Sequence, residues 1–409
     1  MIKLINITGN ISSERLKAIN FINHSINREV YSFVYKDFFN TNIESLINGT
    51  INIRDNVSLL KIRGMVEEQL IRQFVFYETI SSNTDNTYVD ILNLLESLKE
   101  SDWNDNPYHN KDHTRTVLTN MILNSKTPLP KELLVATVFH DIKYSIYNKE
   151  NENIKIACDY ACDFLSGKEY TSSFIEEVVD IIKNKHELYP ILLKSDLSHF
   201  IRTVEEIIEI EKLIFKEYSK YDFYFYRKER NKILKEISLN SDTDIQNGIE
   251  IALGWLNTFE PKIGWFCGSF APLHVGHIDI LDKAKTIFDK VVLVRGYNPD
   301  KKINLSDYPL DSIDELKFIE IIELSKQETI PDRLNSKKYI PTMIRGIRNV
   351  NDLIEAQTWI KQINELNENL VNMFLIDGDS SLNHISSSFL RAIQNKKQYN
   401  TYSKIPNKI

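Results

Sequence analysis

Between an apolar run, Ile263 to Cys267, and a helical pattern, Ile278 to Phe288, lies Gly268-Ser-Phe-Ala-Pro-Leu-His-Val-Gly-His277. A strand that ends in a glycine-bearing turn and feeds a helix aims backbone N–H groups and the positive helix end at one spot, where a phosphate can sit. His274 and His277 flank that spot. No third metal ligand lies near them in sequence, so phosphate chemistry is expected there rather than a metal centre. Farther on, Ser386, Ser387 and Ser388 open a predicted helix, with Arg391 one turn later. Hydroxyls there can cap the helix or hold phosphates, and the two roles are compatible. A second group stands mid-chain, where histidines and acids occupy helix positions at which a core would want Leu or Ile. These are Tyr108-His109-Asn110-Lys-Asp-His113, then His140-Asp141 after the apolar run Leu133 to Phe139, then His186 and Asp196.

The C-terminal blocks, taken together, resemble bacterial phosphopantetheine adenylyltransferase of the H-x-G-H nucleotidyltransferase superfamily. They are the stretch from Gly268 to His277, Asn298-Pro-Asp-Lys-Lys302, Arg345-Gly-Ile-Arg348 and Ile385-Ser-Ser-Ser388, in the family's order. The resemblance implies transfer of AMP from ATP, accompanied by Mg²⁺, to a phosphorylated acceptor, with release of pyrophosphate. His277, with His274, Lys301 and Arg345, is expected to carry catalysis. Gly268, Ser269, Phe270 and Gly276 would form the nucleotide turn, with Arg348, the three serines and Arg391 around the phosphates. Homo-oligomers are usual in this family. Three positions depart from the pattern: Ala271 replaces Asp, His274 replaces Thr and Leu316 replaces Arg. The acceptor is therefore left open, with nicotinamide mononucleotide adenylylation and cytidylyl transfer as alternatives.

Residues 91 to 258 resemble the HD metal-dependent phosphohydrolases, whose ligand order is His, His-Asp, Asp. By that resemblance His113, His140, Asp141 and Asp196 hold a divalent transition metal such as Mn²⁺, Fe²⁺ or Co²⁺, a donor set that leaves positions for water. Adjacent His140 and Asp141 can lean to one groove, since successive helix positions differ by about 100°. His186 would be a phosphate-facing or second-metal residue, and His109 a cap or a support for a ligand. The alternative is a set of buried, hydrogen-bonded polar residues without metal. A further alternative for the whole chain is a nucleotide-responsive regulator in which one domain binds without turnover.

The elements that must position these groups follow from length and pattern. A chain of 409 residues needs more than one core. Phe259-Glu-Pro261 is the expected seam, because proline disfavours helix in the residue before it. After it, Ile263 to Cys267, Val291 to Val294, Thr342 to Ile347 and Val371 to Ile376 read as strands alternating with helices, which predicts a Rossmann-like parallel sheet with its site at the strand C-termini. The expected organisation is multidomain: 1–100 of unclear fold, an all-α 101–258 and an α/β 259–409. Within 1–100, Lys3 to Gly9 reads as a strand, Leu59 to Ile80 has helical spacing, and Ile91, Leu94, Leu95 and Leu98 share one helix face.

A net charge of −7 argues against a general nucleic-acid binder, which needs clustered cations. Neither a membrane span nor a signal peptide is legible, so a cytoplasmic protein is expected. Cys158 and Cys162, spaced i, i+4 with no second pair, read as reduced thiols. The tail from Asn395 reads as a solvated end.

Overall fold

The computed structural model describes residues 86–405 apart from Glu169, 298–302 and Glu368. The expected strand at Lys3 to Gly9, the helical spacing of Leu59 to Ile80 and Lys301 lie outside those residues. The chain forms two compact units, one ending at Ser198 and one running from His199.

The first unit is helical among its described residues: α1 (Asn86–Ser97), α2 (Lys111–Asn124), α3 (Lys131–Phe139), α4 (Glu150–Ser166), α5 (Ser172–Ile182) and α6 (Tyr189–Asp196). Every residue of α3 from Leu133 to Phe139 is buried. A helix apolar on all sides has to be surrounded, and α3 is the centre on which the others pack. Ile91, Leu94, Leu95 and Leu98 of α1 and the residue after it join that same core. The helix face read from the sequence thus packs with the mid-chain helices rather than with a separate N-terminal body. Cys158 and Cys162 are unpaired thiols on α4.

The second unit opens with three helices, α7 (Val204–Glu217), α8 (Phe223–Leu239) and α9 (Thr243–Thr258). Five parallel strands follow: β1 (Ile263–Gly268), β2 (Lys290–Arg295), β3 (Glu320–Glu323), β4 (Thr342–Ile347) and β5 (Met373–Asp377). The order is β3-β2-β1-β4-β5. α10 (Val275–Lys285) joins β1 to β2, α11 (Ile330–Asn335) precedes β4, and α12 (Val350–Leu366) joins β4 to β5. α13 (Ser387–Ala392) and α14 (Gln398–Tyr402) close the chain. The order reverses between β1 and β4, and such a switch point opens a crevice at the strand C-termini.

Two features differ from expectation. The seam at 259 marks where the sheet begins, not where a compact unit ends, because α7 to α9 belong with the sheet. Lys290 explains why: its ammonium is buried, pairs with Glu320 at 2.9 Å and donates to the carbonyls of Ser219 and Tyr221. Asp222 likewise pairs with Lys337 at 2.9 Å. Removing either side would strand a buried charge. The second difference is β3, a fifth strand whose sequence, Glu-Ile-Ile-Glu, hides it behind charged ends. No described helix is long and apolar enough to cross a membrane.

Candidate functional site

β1 ends on Gly268, and the chain enters α10 with His274 as its N-cap. Between them Phe270 has φ +47°, a left-handed conformation that a bulky residue rarely adopts. Its ring meets those of Phe266 at 5.3 Å and His277 at 5.1 Å between centroids. A Cβ on Gly268 would stand 3.0 Å from the Phe270 ring, and one on Gly276 3.2 Å from the His274 ring. Both glycines leave room for a ring that builds the turn.

The rings of His274 and His277 stack at 3.7 Å. The His274 N–H donates to His277 Nδ1 at 3.3 Å. An imidazole that accepts at Nδ1 carries its proton, when neutral, at Nε2, which assigns His277 as a donor through Nε2. His274 itself is buried, and its Nδ1 has no hydrogen-bond partner. Burial, with Arg348 second, holds its pKa down at about 4, so the ring is neutral near pH 7.

Arg345 and Arg348 reach the same strand ends but arrive paired. Arg345, on β4, meets Glu355 at 3.1 Å. Arg348 just beyond it forks onto Asp352, Nε at 3.0 Å and Nη2 at 3.2 Å, while its N–H donates to the same carboxylate at 2.9 Å. Burial opposes ionisation of Asp352, but Arg348 holds the carboxyl below its usual range. A phosphate binding here has to share these guanidiniums. The serine cluster is engaged as well. Ser386 Oγ accepts from the Phe389 N–H at 3.1 Å, Ser387 Oγ donates to the Pro272 carbonyl at 3.0 Å, and Ser388 Oγ accepts from Arg391 at 2.9 Å. Arg391 also donates to the Ala271 carbonyl.

Two contributors escape a reading of the sequence. Arg295, the last residue of β2, is buried and donates to Ser269 O at 3.3 Å, Leu305 O at 2.8 Å and Tyr308 O at 2.7 Å, while pairing with Glu323 at 3.0 Å. It ties the turn after β1 to the segment after β2. The only signal was a charge ending an apolar run. The tail is the other, and here the expectation of a solvated end is corrected. Tyr399 and Ile405 are buried, Ser403 pairs with His274, and the Lys404 N–H donates to Leu273 O at 3.0 Å. Apolar contact and backbone pairing hold the tail down despite its lysines. A cavity of about 230 Å³ beside Lys337, Pro341 and Val371 precedes β4 and β5, at the opposite strand ends from His277.

In the helical unit, His113 lies in the first turn of α2, which is fixed by Asn110 accepting from the N–H groups of Asp112 and His113. Its Nε2 is 3.0 Å from Asp196 Oδ1 and 3.3 Å from Asp141 Oδ2. The same Asp141 oxygen is 3.2 Å from His140 Nε2. Yet neither buried Nε2 makes a hydrogen bond of good geometry. Ligand bonds of about 2.1 Å at right angles or wider set neighbouring ligand atoms about 3 Å or more apart, so this spacing fits atoms facing a shared ion as well as direct imidazole–carboxylate pairing. One ligand atom each from His113, His140 and Asp196 fall within 4.8 Å of one another. His140 Nδ1 lies 2.8 Å from Thr137 O; donating there leaves the Nε2 lone pair for a ligand bond.

The pair stands at a helix end: α3 stops at Phe139, His140 is its C-cap with the helical φ of −54° and ψ of −37°, and Asp141 follows in the next turn. His109 stacks on Tyr144 at 4.0 Å and stands edge-on to His113 at 5.8 Å. His186 is outside the cluster and accepts from the Leu188 N–H at 3.2 Å. Glu150 and Tyr189, not singled out from sequence, feel the same site: burial first, then the acids Asp141 and Asp196 respectively, raise their pKa values. They begin α4 and α6, and nothing in their local sequence marks them.

A family model described as cytidylyltransferase-like matches residues 265–398. The phosphopantetheine adenylyltransferase of Borrelia garinii subsp. bavariensis is 33% identical over 153 residues, covering 36% of this chain and 91% of the relative. That of Streptococcus suis is 34% identical over 142 residues, 34% of this chain and 86% of the relative. That of Vesicomyosocius okutanii is 32% identical over 135 residues, 32% and 84% respectively.

Proposed function

Through its sheet domain this chain belongs to the phosphopantetheine adenylyltransferase family of cytidylyltransferase-like proteins, and from that premise we propose that it transfers AMP from ATP to a phosphopantetheine-like acceptor. An acceptor phosphate oxygen attacks the α-phosphorus, the bond to the bridging oxygen breaks, and pyrophosphate leaves with Mg²⁺. No covalent bond to the protein is needed. The observation that carries this proposal is the ring pair at the start of α10, where the hydrogen bond at Nδ1 assigns the proton of neutral His277 to Nε2, the nitrogen that would donate to oxygens of the reacting phosphate. A donor preorganised for charge that develops in the transition state acts on rate more than on affinity. Arg345 and Arg348 supply positive charge at the neighbouring strand end, and Lys301 is assigned there by the family's motif alone. Pyrophosphate release with ATP and Mg²⁺ is to be measured against phosphopantetheine and nicotinamide mononucleotide, then with CTP replacing ATP. Release with phosphopantetheine and ATP alone is expected; release only with another pair reassigns the acceptor or nucleotide.

For the helical unit we infer a metal-dependent phosphohydrolase, carried by the convergence of the buried Nε2 atoms of His113 and His140 on the carboxylates of Asp141 and Asp196. These four would hold a divalent metal. Such an ion, when bound, would lower the pKa of water to about 7. His113 and His140 are positioned by the Asn110 cap and by Thr137 O. Metal content and hydrolysis of a p-nitrophenyl phosphate ester, in wild type and Asp141→Ala, test the site.

A further inference from the structure

We propose that the segment from Ser387 to Ile405 is a clamp that positions His277, acting through the backbone of Ala271 to His274. The proposal deepens, and rests on, the adenylyl-transfer function given above. Four successive residues are gripped from one stretch of chain. The Ala271 carbonyl accepts from Arg391, that of Pro272 from Ser387 Oγ at 3.0 Å, and that of Leu273 from the Lys404 N–H at 3.0 Å. His274 is then paired antiparallel to Ser403. The His274 N–H is the group that fixes His277, through the 3.3 Å bond to Nδ1. A bond of that length leaves little margin, so a small backbone shift at His274 releases the tautomer and orientation of the His277 ring.

The clamp has its own anchors. Leu390, Tyr399 and Ile405 are buried, whereas the ion pair of Lys404 with Glu315 is partly exposed and adds little. Ser387 and Arg391 are accordingly positioning residues: their polar groups face the loop's carbonyls, and they act on the reacting groups through His274 and His277.

Lys404→Pro deletes the one N–H that reaches Leu273 O. The backbone of Ser403, φ −81° and ψ 137°, is what a residue before proline adopts. Lys404→Ala keeps the N–H and removes only the ion pair with Glu315. Two readouts are taken: kcat and KM for ATP from pyrophosphate release with phosphopantetheine, and imidazole ¹⁵N shifts of His277. Lys404→Pro is expected to lower kcat about tenfold, equivalent to about 1.4 kcal/mol, with KM for ATP within about twofold. His277 should pass from a single Nε2–H tautomer to an averaged pair, while Lys404→Ala stays near wild type in both readouts. Unchanged kcat and shifts in folded Lys404→Pro, or equal losses in the two variants, overturn the clamp. Should Lys404→Pro fail to fold, Ser387→Ala takes its place: the tautomer shift supports the proposal and its absence overturns it. If wild type releases no pyrophosphate with any acceptor, the adenylyl-transfer function fails, and the ¹⁵N comparison still decides the clamp.

Discussion

His140 and Asp141 sit where a fully buried helix ends, and His274 and His277 sit where a helix begins on a loop gripped by its backbone. The first pair belongs to a cluster in which two buried imidazole nitrogens stand 3.0 to 3.3 Å from carboxylate oxygens. In the second pair, His277 is oriented by a main-chain N–H. The helical cluster is built from side chains meeting side chains. The sheet site is built from a side chain meeting the main chain, and the function proposed for it depends on where that one N–H points.

The sharpest way to break that contrast is on the sheet side. His277→Ala should lower kcat for pyrophosphate release about 10²–10⁴-fold, in the range of a lost positioned proton donor, with ATP affinity changed less than about threefold by calorimetry. Normal turnover in that variant removes the role given to His277. On the helical side, Asp141→Ala should abolish bound metal and the hydrolysis it supports while leaving adenylyl transfer intact, as read by elemental analysis and both assays. Chelation of wild type should lower the melting temperature of this unit, and re-addition of Mn²⁺ should restore it. Metal affinity should also rise with pH. Burial by itself would lower the His113 pKa, but Asp141 and Asp196 raise it to about 10, so an incoming ion has to displace a proton. Equal metal content in wild type and Asp141→Ala removes the site.

A smaller effect concerns His274. The unfolded chain protonates this residue near pH 6.5 and the folded unit only near about 4. Between those values the unfolded state binds more protons, so stability falls as pH falls, by at most about 1.4 kcal/mol per pH unit, and this residue contributes no slope above that window. His274→Asn should flatten the slope in denaturant titrations from pH 7 to 4. An unchanged slope places His274 in a more solvated setting than its burial implies.

Side-chain type and order were legible where a group is used for what it is. The histidines and acids of the helical cluster announced themselves by standing in apolar patterns, and four of the five strands by their apolar runs. What stayed hidden depends on partners distant in sequence. Glu320 is buried in β3 because Lys290 meets it, and a strand written Glu-Ile-Ile-Glu has no apolar signature of its own. Helices α7 to α9 follow the sheet because Ser219, Tyr221 and Asp222 satisfy lysines 69 or more residues away. Arg345 and Arg348 read as cations awaiting phosphate, but sequence does not reveal that Glu355 and Asp352 already meet them. The grip on Ala271, Pro272 and Leu273 is made to carbonyl oxygens, which every residue has. No residue type marks such a contact.

The function proposed for the sheet domain is AMP transfer with His277 as the oriented donor. The most direct measurement is pyrophosphate release by the intact chain with ATP, Mg²⁺ and phosphopantetheine, run beside His277→Ala at matched protein concentration. Wild type is expected to release pyrophosphate in step with formation of the adenylylated acceptor, and the variant to release it more slowly by about 10²-fold or more. Equal release by the two proteins, or none from wild type while ATP binds, would contradict that function.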